Sequence, residues 1–143
     1  MRCNFEGVAI IKKHEGLKLQ PYLCPAGIPT VGYGSTRAGK LGRAITSEEA
    51  EKFLIEDIET IEKQMTPLIR VEVTENEWSS LVSLVFNIGA GNFKISTLLR
   101  HLNLKEKEQA AGQFSRWVFC QGKILKGLQD RRQAEKELFL KIS

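Results

Sequence analysis

Three cysteines, two histidines and no C-x-x-C pair leave little from which to build a disulfide framework or a metal centre. Cys3, Cys24 and Cys120 are odd in number and far apart, as suits reduced thiols in a cytosolic protein. His14-Glu15 lacks the second histidine that an H-E-x-x-H helix needs, so neither metal nor cofactor is expected. Long apolar runs are missing as well. Val8 to Ile11 and Leu81 to Phe86, the latter interrupted by Ser83, fall far short of the roughly 20 residues that cross a bilayer, and no stable membrane insertion is expected. Glu6 precedes the first apolar stretch and Lys12-Lys13 follow it, the reverse of a secretory signal. The protein is therefore expected in the cytoplasm of the producing cell unless something else releases it. Internal repeats and low-complexity linkers are absent too, so residues 1–143 read as one domain and as a monomer.

What is present is an average globular composition, 42% hydrophobic and 27% charged, in a chain long enough to bury a core without covalent staples. Lys plus Arg number 21 against 17 Asp plus Glu, a net charge of 21 − 17 = +4 that suits a polyanionic partner but is spread among interleaved acids.

Phe5, Val8, Ile10 and Ile11 recur at helical spacing up to Glu15, and Gly16 supplies a stop. Glycines and prolines then crowd the segment to Gly42 around short apolar pieces such as Thr30-Val31, predicting a small turn-rich β region over about 16–45. Thr46 to Glu49 is a capping box that opens a long amphipathic helix over about 47–66, ended by Pro67. A second box, Thr74 to Glu77, opens a helix interrupted at Gly89 and Gly91. Ser96 caps a short turn ending near Asn103, and Glu106 to Phe114 and Leu128 to Ile142 continue as helices. The layout is α+β: a small β lobe and a helical lobe over about 67–143, joined by the long helix. A cleft between two such lobes is the natural seat of a ligand.

Glu15 closes the first helix, where a carboxyl meets the negative end of the macrodipole, a setting that suits a general acid. The stretch from Glu15-Gly16-Leu17 through Cys24 and Thr30 to Gly32-Tyr33-Gly34 resembles the active-site hairpin of the phage-type lysozymes, the endolysins that cut bacterial peptidoglycan. In that pattern a Glu is followed after eight residues by Asp or Cys and after five more by Thr; Glu15, Cys24 and Thr30 keep this spacing. Downstream, Leu84 to Gly91, Ser96 to Leu99 and Leu102-Asn103 resemble the family's helical-lobe signature. Trp117, Gly127-Leu128, Arg131-Arg132, Ala134-Glu135 and Leu138-Phe139 resemble its C-terminal helix. Two positions depart from the commonest form: Cys24 stands where Asp is frequent, and Ser35 where His is.

The resemblance implies the two-lobed lysozyme fold and hydrolysis of the β-1,4 bond between N-acetylmuramic acid and N-acetylglucosamine, leading to host lysis. It implies Glu15, Cys24 and Thr30 as the catalytic residues. Glu15 would protonate the leaving oxygen, while Cys24, a weaker copy of a carboxylate, and Thr30 would hold a water. Other readings stay open. A lytic transglycosylase needs Glu15 alone, and a peptidoglycan-binding protein could keep the fold without catalysis. Gly34 to Lys40 fits G-x-x-x-x-G-K, but Leu41 follows where a phosphate loop needs Ser or Thr. The Arg131-Arg132 helix as a DNA reader is opposed by Glu135 and Glu137, so nucleic acid is not an expected partner. Trp117, Phe93 and Tyr33 could line a sugar cleft, although aromatics more often fill cores.

Overall fold

The computed structural model describes residues 1–142; Ser143, the last residue of the expected domain, lies outside them. Helix α1 (Phe5–Glu15) starts at Asn4, whose side chain accepts from the Gly7 N–H, and ends at Gly16, whose φ of 72° turns the chain toward the β region. Strands β1 (Lys18–Leu23) and β2 (Pro29–Gly32) pair antiparallel with Tyr22 opposite Thr30 and a bulge between Lys18 and Tyr22. A short helix α2 (Thr36–Gly39) then folds back on β2, an element the glycine-rich texture had read only as turn.

Helix α3 (Ser47–Met65) opens with both halves of the capping box in place: Thr46 Oγ1 accepts from Glu49 N–H, and Glu49 accepts from Thr46 N–H. Its buried face is divided between two cores. Ala50 belongs to a small cluster with Val31, Ala38 and Ile45, whereas Leu54, Ile58 and Met65 belong to the main one. One rigid helix with its first turn under the hairpin and its last in the helical lobe ties the lobes together.

The helical lobe is built around α4 (Glu75–Ile88), which starts at the second capping box, Thr74 and Glu77. It is followed by α5 (Ala90–Lys94), α6 (Thr97–Asn103) and α7 (Lys107–Gly112). A 3-10 turn over Phe114–Arg116 and the two-residue strands β3 (Phe119–Cys120) and β4 (Lys123–Ile124) lead into α8 (Lys126–Leu140). The β3–β4 hairpin was not expected; two residues per strand carry no alternation that a sequence pattern could reveal.

Serines 79, 80 and 83 of α4 are buried. Their small side chains let neighbouring backbones come close. At Gly7 of α1, a Cβ would lie 2.8 Å from Ser79 Cβ and 2.9 Å from the Ser79 carbonyl oxygen. Gly7→Ala is therefore expected to cost about 1–3 kcal/mol in urea denaturation, as overpacking of a dense core does. The Glu49 carboxyl is held down at about 2 by Arg43, then by the Thr46 N–H. A folded-state pKa below the unfolded one means that the cap is fully stabilising above the ordinary Glu range and is lost as pH falls through about 2. A carbon-13 carboxyl titration should place the Glu49 midpoint near 2; a midpoint above 4 refutes the pairing.

Candidate active site

Glu15 occupies the last helical position of α1, because Gly16 lets the chain leave the helix there. Its side chain is about one-fifth exposed, and Oε2 accepts a 2.7 Å hydrogen bond from Arg131 Nη1. Oε1 points toward Gly34, where a Cβ would stand 2.7 Å from it. Gly34 adopts φ of 78°, so this position requires glycine both for its backbone and for the space beside the carboxyl.

Arg131 comes from α8 and is 3% exposed. Each nitrogen of its guanidinium finds an acceptor: Nη1 on Glu15, Nη2 on the Ser83 carbonyl at 3.0 Å, and Nε on Glu135 Oε2 at 3.2 Å and on Ser83 Oγ at 3.4 Å. Glu135, fully buried, also accepts from Ser83 Oγ and from Arg132 Nη2 at 3.1 Å. Arg132 Nε lies 2.6 Å from Glu135 Oε1 as an ion pair, without the alignment of a hydrogen bond. Arg132 Nη1 extends the network to Asn87 Oδ1 and the Trp117 carbonyl. Burial pushes His14, the residue before Glu15, below its ordinary range, and the Arg131 charge adds to this.

Cys24 and Thr30 meet across the hairpin. The Ile28 carbonyl accepts both the Cys24 N–H at 3.0 Å and the Thr30 hydroxyl at 2.9 Å. Thr30 is buried and Cys24 half-buried. The Cys24 thiol is drawn below its ordinary range, chiefly by backbone hydrogen bonding at Ile28, then at Ala26, and by the Thr30 hydroxyl. A hydroxyl has one proton, so Thr30 can serve either the Ile28 carbonyl or the sulfur; given to the carbonyl, it leaves its lone pairs free to accept from a water.

Tyr22 stands opposite Thr30 in the hairpin. Its phenol is pushed up first by burial and then by the charges of Glu15 and Cys24, so both groups lie within electrostatic reach of one ring. The arrangement is a clamped carboxyl on one side and a thiol–hydroxyl pair on the other. Neither Tyr22 nor the role of Arg131 emerged from the sequence. Tyr22 sits inside the hairpin stretch, and the spacing of Arg131 and Glu135 at i and i+4 was the available sign of an internal ion pair.

The structure disposes of several rival readings. Gly39, second glycine of the G-x-x-x-x-G-K match, packs so closely on β2 that a Cβ would stand 2.1 Å from the Pro29 carbonyl oxygen; Ser35 accepts from Ala38 N–H as the cap of α2. That stretch packs on β2 and caps a helix of four residues. Arg131 and Arg132 are buried and cannot read DNA. Phe93 is core, while Tyr33 and Trp117 are partly buried against it. All three cysteines are free. The Cys3 Sγ faces the Ser79 carbonyl and its thiol is pushed up to about 12 by burial, which suits packing and not exchange with Cys24.

Residues 12–135 match the phage lysozyme family profile. The chain is 43% identical to an endolysin of Acyrthosiphon pisum secondary endosymbiont phage 1, over 97% of this chain and 98% of that one. It is 39% identical to a SAR-endolysin of Bacteriophage PS34, over 88% of this chain and 76% of the other. Among solved structures, the muramidase domain of SpmX from Asticaccaulis excentricus superposes with a TM-score of 0.91 at 34% identity, covering 99% of both chains.

Removing one partner of a buried charge network strands the others. Arg131→Met is therefore expected to cost about 3–5 kcal/mol in urea denaturation, against a smaller loss for Glu15→Gln, whose end of the network reaches solvent. Equal losses for the two variants would show that Arg131 is not the hub.

Proposed function

This chain belongs to the phage lysozyme family, and on that premise we propose that Glu15, Cys24 and Thr30 carry out its cleavage of the β-1,4 bond between N-acetylmuramic acid and N-acetylglucosamine. It is a muramidase, a glycoside hydrolase acting on peptidoglycan. The observation that supports the assignment of roles is the division of labour between the two oxygens of Glu15. Oε2 is occupied by Arg131, which leaves Oε1, beside Gly34, as the atom to hold a proton and deliver it to the departing glycan oxygen.

Once the leaving oxygen is protonated, the anomeric carbon develops oxocarbenium character and needs a nucleophile on its opposite face. Thr30, its own proton given to the Ile28 carbonyl, accepts from a water, and Cys24 accepts a second hydrogen bond from it. That water attacks as the bond to the leaving group breaks, and one of its protons passes to solvent. Direct displacement inverts the anomeric centre. Arg131 takes no part in proton transfer; it fixes the direction of the carboxyl, so that the acid does not have to be ordered in the transition state.

The protein works as one monomeric domain, needing neither metal nor cofactor. It is made in the cytoplasm and reaches the wall when the membrane is breached, the event that leads to lysis. Among the described residues, no helix is long and apolar enough to cross a membrane.

Turbidity loss of purified peptidoglycan should fall by about 100-fold to 10,000-fold in Glu15→Gln, with unchanged far-UV circular dichroism; retained activity removes Glu15 as the acid. Mass spectra of the digest should show reducing muramic ends, whereas anhydro ends would mean that no water attacks. Cys24→Asp should keep most of the activity and Cys24→Ala lose about 10-fold or more. A dead Cys24→Asp protein would refute the equivalence of thiol and carboxylate.

A further inference from the structure

Far from the chemistry of Glu15 in composition, and sharing no residue with it, a cavity of about 390 Å³ opens in the helical lobe against α6 and the segment that follows α3. Arg70, Lys94 and Arg100 line it, and no carboxylate does. All three are exposed, and among the described residues none enters an ion pair. Among the described residues, other cations of this surface either sit on an acid, as Lys12 does on Glu51 and Arg43 on Glu49, or stand unpaired like Lys40, Lys52 and Lys123; what distinguishes Arg70, Lys94 and Arg100 is that they line one hollow. Gathering three like charges around one hollow without an internal counter-ion is a repulsion that an external anion relieves.

The frame beneath these side chains is fixed. Asn103 Oδ1 accepts from the Arg70 N–H at 2.8 Å, and its Nδ2 donates to the Leu68 carbonyl at 3.0 Å, which staples the segment carrying Arg70 onto α6. Ser96 accepts from the Leu99 N–H and donates to the Phe93 carbonyl, anchoring the turn between Lys94 and Arg100. Beside the cations stands Ile95, between α5 and α6 and 82% exposed; Leu104, just past the end of α6, is 64% exposed. An aliphatic side chain left in water next to a cationic hollow matches a ligand with an anionic head and an apolar body. Acyl chains cover such a side chain more fully than the hydroxylated face of a glycan does.

We propose that this cavity receives the phosphate headgroup of an anionic phospholipid, with Ile95 inserted among the acyl chains, so that the helical lobe docks on a membrane surface. Arg70, Lys94 and Arg100 meet the phosphate, and the docking is peripheral and salt-sensitive.

Co-sedimentation of the full chain with vesicles of phosphatidylglycerol and phosphatidylcholine, against vesicles of phosphatidylcholine alone, tests this. The wild-type protein should bind the anionic vesicles at least tenfold more tightly. Each cation near an anionic surface contributes about fivefold, so the combined variant Arg70→Ala, Lys94→Ala, Arg100→Ala should lose about 100-fold. Ile95→Ser should lose roughly tenfold. A control with the same charge change elsewhere, Lys40→Ala, Lys52→Ala, Lys123→Ala, should stay within about twofold to threefold of wild type, because distant charges are screened. The proposal is overturned by any of three results: no preference for anionic vesicles, the same loss in the control, or an unaffected Ile95→Ser whose binding soluble glycerol phosphate abolishes, which would mark a site for free anions. Hydrolysis of isolated peptidoglycan should be unchanged in the cavity variants. A failure of membrane docking is thereby distinguishable from a failure of the catalytic assignment.

Discussion

One guanidinium holds the active lobe in place. Arg131 has been carried into the interior on α8, and a charge there is tolerable only when every donor finds an acceptor. Its acceptors come from three separate parts of the chain: Glu15 at the end of α1, Ser83 in the middle of α4, and Glu135 one turn further along α8. Satisfying them together fixes the spacing of α4 and α8 and the direction of the Glu15 carboxyl in a single step. Serine at position 83 serves twice, since its small side chain admits the arginine and its hydroxyl and carbonyl then bind it. Because Arg131 answers to the buried Glu135 as well as to Glu15, the direction of the Glu15 carboxyl is set from inside the helical lobe.

The β side of the site depends on close backbone approach. Gly34 leaves room beside the free oxygen of Glu15, and Gly39 lets α2 lie directly on the Pro29–Thr30 backbone. That contact holds β2 where Thr30 and Cys24 share the Ile28 carbonyl. Helix α3 connects this small core to the large one, as its buried residues change partners from Ala50 onward. The candidate residues therefore sit on different elements, Glu15 clamped by charge and the Cys24–Thr30 pair by packing.

Much of this was legible in the residues. The ends of α1, α3, α4 and α6 were readable because their caps are local: Gly16, the Thr46–Glu49 and Thr74–Glu77 boxes, and Ser96 each satisfy backbone groups within a few positions. The spacing of Glu15, Cys24 and Thr30 was readable through its likeness to the endolysin hairpin. The β3–β4 hairpin and α2 were not, since elements of two to four residues owe their form to what they pack on. The burial of Arg131, Arg132 and Glu135 was not legible either, because the i, i+4 spacing of Arg131 and Glu135 suits a surface pair as well as an interior one.

The order of residues by itself determined where the capped helices α1, α3, α4 and α6 begin or end and that a small β region precedes one long helix, which follow from hydrogen bonds and apolar periods within one or two turns of chain. Which three side chains are candidates for the reaction came from the likeness of the Glu15 to Thr30 stretch to the endolysin hairpin. Tertiary structure alone decided that Arg131 and Glu135 are interior, that one oxygen of Glu15 is engaged and the other free, and that Arg70, Lys94 and Arg100 surround one hollow. The physical reason is that the energy of a charge depends on its solvent exposure and on neighbours far along the chain, and neither is defined until the chain has folded.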